Sequence, residues 1–155
     1  MNLNEEIRRI KTLMFESDNS YSIQTEGEIN SPEGLTICFY SPENKKIGQT
    51  KVIGFRHAVD LSRSFQSFME KQNDDLFNDD CAYSHSLFVD DDFRRQGFGE
   101  KLKSETENIL KQNNFKYNTA IVSSDNNPSQ GLVKKLGYNI YDSLDGEDFF
   151  VKEMF

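Results

Sequence analysis

Apolar positions divide the chain into alternating strand-like and helix-like segments. Leu3, Ile7, Ile10 and Met14 form one stripe, with Leu13 beside it, and predict an amphipathic helix over residues 3–16. Asn4 can cap that helix, and Glu5 and Glu6 suit its positive end. Residues 20–29 are weakly strand-like through Tyr21, Ile23 and Thr25, and Ser31-Pro-Glu-Gly34 reads as a turn. Leu35, Ile37 and Phe39 alternate, which predicts a strand over 35–40. A further strand is expected within 47–58, with Val52, Ile53 and Phe55 as its apolar part and a bulge at Gly54. Leu61, Phe65, Phe68 and Met69 share a face of a helix over 61–72, capped by Asp60. An acidic loop, 73–80, follows; it reads as a solvated connector, with an electrostatic funnel for a cationic acceptor as the alternative.

The rest of the chain is organised around residues 83–113. Tyr83 to Val89 reads as a buried strand, with Tyr83, Leu87 and Val89 on one face. Asp90, Asp91 and Asp92 end it. Phe98, Leu102, Ile109 and Leu110 recur at helical spacing, so a helix runs from near Gly97 to about Asn113. A strand over 117–123 follows. Next comes a short helix over 128–136, with Asn127 as cap, Pro128 in its first turn and Gly137 just past its end. Two last strands, 138–141 and 149–151, flank an Asp145-Gly146 hairpin signal. Nothing repeats and no linker interrupts the chain, so residues 1–155 read as a single α/β domain with 1–16 as an N-terminal helical extension. That extension reads as packed on the core; an arm that docks a partner, or a second copy in a homodimer, is the alternative.

Composition narrows the function. At 155 residues the chain can bury roughly 70% of its unfolded surface. Its 13 phenylalanines predict a phenylalanine-rich core. A net charge of −8 argues against nucleic acid, which needs a basic face, and is compatible with a cationic substrate such as an amine. Cys38 and Cys81 make neither a metal pattern nor a disulfide framework, so no metal is expected and a reducing cytoplasm is the default. No stretch is long and apolar enough for a membrane span, and the N-terminus lacks the features of a signal peptide.

Between the central strand and helix lies Arg94-x-x-Gly97-x-Gly99. The first amides of a helix have no partner within it and carry its positive dipole end, so they bind anions. Glycines let such a turn take positive φ and let a phosphate approach the backbone. A P-loop would need Gly-Lys-Ser/Thr, which is absent, and a dinucleotide fingerprint would need a third glycine where Leu102 stands. The run Leu87-x-Val89-x-x-x-x-Arg94-x-x-Gly97-x-Gly99 resembles motif A of the GNAT superfamily of N-acetyltransferases. Asn126, Lys135, Gly137 and Tyr138 are similar to that family's motif B. The resemblance covers roughly the C-terminal half; the N-terminal half, where the family selects its acceptor, matches only as mixed strands and helices.

The resemblance implies a GNAT-like mixed central sheet flanked by helices, with splayed central strands, and acetyl-CoA as co-substrate. It implies that main-chain groups of Leu87, Phe88 and Val89 hold the pantetheine arm, with Val89 N–H facing the thioester oxygen. The amides of Arg94, Arg95, Gln96, Gly97, Phe98 and Gly99 would hold the pyrophosphate, and Asn126 would touch the arm. The acceptor would be an amine, on a small molecule or a protein. Where many members carry a glutamate, this chain has Tyr83, and His85 faces the same way; both are candidates for proton transfer, with His57 a weaker one at a strand end. Where many members place a tyrosine acid, this chain has Val133. The two departures keep open a non-catalytic acyl-CoA-binding or partner-binding role on the same fold.

Overall fold

The computed structural model describes residues 21–71 and 80–155; the predicted helix over 3–16 and the acidic run 73–79 lie outside them. The described strands are β1 (Ser22–Gly27), β2 (Leu35–Tyr40), β3 (Lys46–Gly54), β4 (Cys81–Val89), β5 (Tyr117–Ser123), β6 (Asn139–Leu144) and β7 (Glu147–Glu153). The described helices are α1 (Phe55–Leu61), α2 (Arg63–Lys71), α3 (Phe98–Gln112) and α4 (Asn127–Lys135). The strands form one sheet in the order β1-β2-β3-β4-β5-β7-β6. Only β4 and β5 run parallel; every other neighbouring pair is antiparallel.

Side-chain alternation puts two cores on opposite faces of this sheet. Ile37, Phe39, Val52, Ala82, Leu102 and Leu110 pack under α3. Beside them, Val122, Val133, Tyr138 and Phe150 form a smaller cluster that includes α4. Ile53, Phe65, Phe68, Tyr83 and Phe149 pack under α1 and α2 on the other face. Phe39, Phe65, Phe68, Phe149 and Phe150 are all fully buried, in keeping with the phenylalanine-rich core expected from composition. Phe68 stacks on Phe149 at 4.9 Å and Phe65 meets Phe149 edge-on at 5.9 Å, geometries that aromatic quadrupoles favour.

Three local expectations change. The strand expected within 47–58 stops at Gly54, and Phe55 opens a helix instead. Phe55, Ala58 and Val59 recur at helical spacing and pack into one cluster, a pattern that outweighs the β propensity of single residues. Gly54 makes no bulge in the ladder; it begins α1, and a Cβ there would meet the Asn30 carboxamide oxygen at 2.3 Å. The single helix expected over 61–72 is broken at Ser62, which has extended backbone and whose hydroxyl accepts the Phe65 N–H at 3.1 Å. Ser62, not Asp60, therefore starts α2.

The third change lies in β4. Tyr83 packs with the α1/α2 core, whereas Leu87 and Val89 pack with the α3 core, so these residues do not share a face. The pairing of β3 with β4 slips between Gln49 and Lys51, leaving Ser86 and Leu87 together opposite Thr50. Ser86 takes φ 56°, and one extra residue reverses the alternation beyond it. The Thr50 hydroxyl donates to the His85 carbonyl at 3.3 Å across this bulge.

Candidate active site

β4 and β5 are in register only for Cys81–Tyr117, Ala82–Asn118 and Tyr83–Thr119. Beyond that point they part. Side chains close the vertex: the Thr119 hydroxyl donates to the Ala82 carbonyl at 2.8 Å. Ser84 Oγ donates to Asn118 Oδ1 at 2.8 Å, and Asn118 Nδ2 donates to the Tyr138 hydroxyl at 2.6 Å. Burial, chiefly, pushes the Tyr138 phenol above its ordinary pKa. Above the vertex the parted strands leave a cleft of about 220 Å³. Its walls include Ser84 to Leu87 of β4, Ala120 to Ser123 of β5, Asn126 before α4, and Leu132 and Val133 of α4.

The strand edge facing this gap carries free main-chain groups. Asp90 N–H donates to the Ile47 carbonyl at 2.7 Å, so Gly48 and Val89, the next pair, are of the kind that exchange no ladder bonds. Val89 N–H and C=O therefore point away from β3. The Val89 carbonyl is met by Arg94 Nε at 3.2 Å.

At the end of β4 the chain makes one 3₁₀ turn, Asp91–Phe93, and then the glycine-containing turn into α3. The three aspartates are engaged locally. Asp90 Oδ1 accepts the Asp92 N–H at 3.1 Å, Asp91 pairs with Arg94 at 3.0 Å, and Asp92 pairs with Lys45. Arg95 and Gly97 have φ of 64° and 80°, an arrangement that turns successive N–H groups to one side. Gly97 begins α3 in this left-handed conformation, with nothing within 4 Å of where a Cβ would stand. The N–H groups of Arg95, Gln96, Gly97, Phe98, Gly99 and Glu100 have no hydrogen-bond acceptor among the described residues; the first amide satisfied in α3 is Lys101, by Gly97. These exposed donors and the dipole of a helix of 15 residues form a cradle suited to a pyrophosphate.

The proposed site residues thus fall into two groups around one cleft. His85 and Leu87 line it, and the glycine turn stands beside it, where a Cβ at Gly99 would lie 3.6 Å from the lining residue Leu132 and 3.9 Å from Val89. Asn126 lines it too and also begins α4, where its carboxamide oxygen accepts the Ser129 N–H at 3.3 Å; the cap is Asn126 rather than Asn127. Phe88 projects to solvent, 46% exposed, beneath the ammonium of Lys46. Tyr83 is only 8% exposed, and its ring lies between Phe65 and His85 on the α1/α2 face. Burial, chiefly, raises its phenol pKa. His57, expected at a strand end, is in α1.

His85 differs from Tyr83 in its surroundings. Its ring stacks on Tyr83 at 5.4 Å, and Nδ1 meets the Ser86 hydroxyl at 2.9 Å. Its Nε2 is buried, with no hydrogen-bond partner among the described residues. Burial first and the Lys51 charge second lower its pKa, so the imidazole is neutral at pH 7. Lys103 was missed by sequence reasoning. It stands one residue after the Leu102 core position, and a single lysine among charged helix residues gave no signal of burial. Yet it lines the same cleft at 4% exposure.

Comparison with known proteins agrees with this geometry. The profile of the acetyltransferase (GNAT) family matches residues 4–138. The chain belongs to that family. A search of curated proteins returns no match. Among solved structures, the PaiA N-acetyltransferase of Thermoplasma acidophilum, in complex with coenzyme A, is similar at TM-score 0.58 and 14% identity. That match covers 76% of this chain and 59% of the Thermoplasma protein. A Klebsiella pneumoniae protein assigned to the acyl-CoA N-acyltransferases is similar at TM-score 0.59 and 14% identity, over 98% of this chain and 89% of its own. A GNAT-family acetyltransferase of Listeria monocytogenes gives TM-score 0.61 at 14% identity, over 76% and 63%. At these identities the likeness is one of fold. Among the described residues no helix is long and apolar enough to cross a membrane, and no cluster of side chains suits a metal ion.

Proposed function

We propose that this protein transfers an acetyl group from acetyl-CoA to a primary amine. The observation that carries this reading is the row of N–H groups from Arg95 to Glu100, without acceptors among the described residues, beside a cleft between two parted parallel strands. Donors in that arrangement match a pyrophosphate, and the free edge of β4 beside it matches an extended arm with amide groups. Each hydrogen bond to a charged oxygen is worth roughly 1.5–3 kcal/mol, so a few of them account for micromolar binding.

Acetyl-CoA brings a carbonyl already activated as a thioester, which leaves this chain to position the reactants and move protons. Val89 N–H, freed from the β3 ladder, is the proposed donor to the thioester oxygen as charge develops there. His85 is the proposed base. Its imidazole is neutral, it lines the cleft, and its Nδ1 meets the Ser86 hydroxyl, so it takes the proton of the incoming ammonium through that hydroxyl. Tyr83 supports the His85 ring from a packed position and needs no proton of its own.

One observation favours a second reading, a non-catalytic acyl-CoA-binding protein. Val133 reaches the cleft without a hydroxyl where many family members carry a tyrosine acid. A single assay separates the two. Thiol release from acetyl-CoA in the presence of a panel of primary amines is expected for the wild type and is expected to fall at least tenfold in His85→Ala. Acetyl-CoA binding without thiol release from any amine would establish the second reading. No binding at millimolar acetyl-CoA would remove both.

A further inference from the structure

Lys103 is the group in the cleft that the proposed reaction leaves without a task. It projects from the second turn of α3, and its ammonium lies 5.3 Å from the centre of the Tyr138 ring. Among the described residues it makes no hydrogen bond and no ion pair. Burying an ammonium in this way is costly, and the face of one phenol offsets little of that cost. Burial lowers its pKa to about 8, while the field of Glu107 acts in the opposite direction.

Among the described residues the charges around it do not balance. Glu107, buried on the same helix, is already paired with Lys152 of β7. Tyr138 and His85, the other titratable groups facing this end, are neutral at pH 7. Glu105 is on the opposite flank of α3, where it lines a different hollow with Tyr21. Two lysines against one glutamate leave one positive charge in excess. Of the described residues lining the cleft, Lys103 is the only charged one, in a chain of net charge −8. Among those residues an acidic protein has put no acid and one unpartnered cation.

The position within the cleft matters as much as the charge. Lys103, Ser84, Asn118 and Tyr138 belong to the closed end, whereas the glycine turn stands beside Val89 and Leu132, beyond the point where the strands part. Ser84 and Val89 lie opposite Val52 and Gly48, four residues apart on β3, which is about 13 Å along a strand. A thioester arm anchored at the turn therefore brings its reactive end toward Lys103.

We propose that the closed end of the cleft is a carboxylate-binding site built on Lys103, filled by a carboxylate on one of the two reactants. This rests on the acyl-CoA reading above. Two sources fit the same chemistry: the far end of a dicarboxylic acyl group on CoA, or the α-carboxylate of an amino-acid acceptor. Either would accept from the three ammonium donors and supply the missing counter-charge.

The test is calorimetric and does not depend on turnover. Succinyl-CoA and acetyl-CoA are titrated separately into the full chain. Leucine and isoamylamine, which differ by the carboxylate, are then titrated into protein saturated with CoA. The proposal expects the carboxylate-bearing member of one pair to bind about ten- to a hundredfold more tightly. Lys103→Met should abolish that preference while leaving acetyl-CoA affinity within about twofold, and Lys103→Arg should retain part of it. Circular dichroism of both variants separates a lost site from a lost fold. No preference in either pair, or a preference that survives in folded Lys103→Met, overturns the carboxylate site. Failure of every acyl-CoA to bind the wild type overturns the underlying reading instead.

Discussion

The two halves of β4 are built on opposite principles. Ala82 and Tyr83 are flanked by paired strands on both sides, Cys81 pairs with β5, and all three are buried. Ser84 to Val89 keep β3 on one side and lose β5 on the other, and here the chain carries a bulge, a positive φ at Ser86, a His85 Nε2 unpartnered among the described residues and a Val89 N–H turned away from β3. A continuous ladder would satisfy those groups and leave nothing to offer a ligand. The first half of the strand supplies stability, and the second half gives some of it up to make room for chemistry.

Substitutions should therefore divide along this line, and the largest effect on stability belongs to the paired half. Phe149→Ala, which opens a hole beneath Phe65 and Phe68, should cost about 3–5 kcal/mol in urea denaturation. Asn118→Leu removes two of the three side-chain hydrogen bonds at the vertex and strands the Ser84 and Tyr138 hydroxyls. It should cost about 1–3 kcal/mol and weaken CoA binding only modestly. A variant in which Asn118→Leu erased binding with no loss of stability would show that the vertex belongs to the site and not to the frame.

On the open side the balance reverses. Gly97→Val forces a β-branched residue to φ 80°, at a cost of about 1–3 kcal/mol, and moves the amides that hold the pyrophosphate. CoA affinity should fall more than tenfold, a far larger fraction than the stability. Lys103→Met should raise stability below pH 8, because the folded state no longer holds a desolvated ammonium. Its folded pKa of about 8 lies below the ordinary 10.5, so wild-type stability rises with pH between those values. The gain from Lys103→Met, on the order of 2–3 kcal/mol, should shrink through that window and vanish above it. His85→Gln should act more weakly. A lowered imidazole pKa penalises the folded state only as pH falls below the ordinary 6.5, so wild type and variant should differ in pH dependence only below that point. The smallest effect belongs to Asp92→Asn, which breaks an exposed pair with Lys45 and should leave the melting temperature unchanged.

Legibility in the sequence follows the same division. Where alternation or helical spacing ran unbroken, as in β2, α3 and the Asp145-Gly146 hairpin, pattern alone located the element. The glycine turn was legible at Gly97, which the structure puts at φ 80°; the positive φ of Arg95 carried no signal in the sequence, and Gly99 does not take one. The bulge at Ser86 was not legible. It changes the register by one residue without changing composition, and so it sent Leu87 and Val89 to the face opposite Tyr83. The break at Ser62 was hidden inside one apolar run for a similar reason, since a hydroxyl reads as well mid-helix as at a cap. Lys103 was illegible because its burial depends on β4 and β5 parting above it, a property of topology that no local window contains.

The claim on which the rest depends is that the free amides at the start of α3 hold CoA along the open edge of β4. An amide-resolved NMR titration with CoA tests it most directly. Saturation should move the resonances of Gln96 to Glu100 and Val89 most, with Cys81 and Ala82 of the paired half nearly still. Saturating CoA that leaves Gln96 to Glu100 unmoved, or that shifts a different surface, would contradict the account.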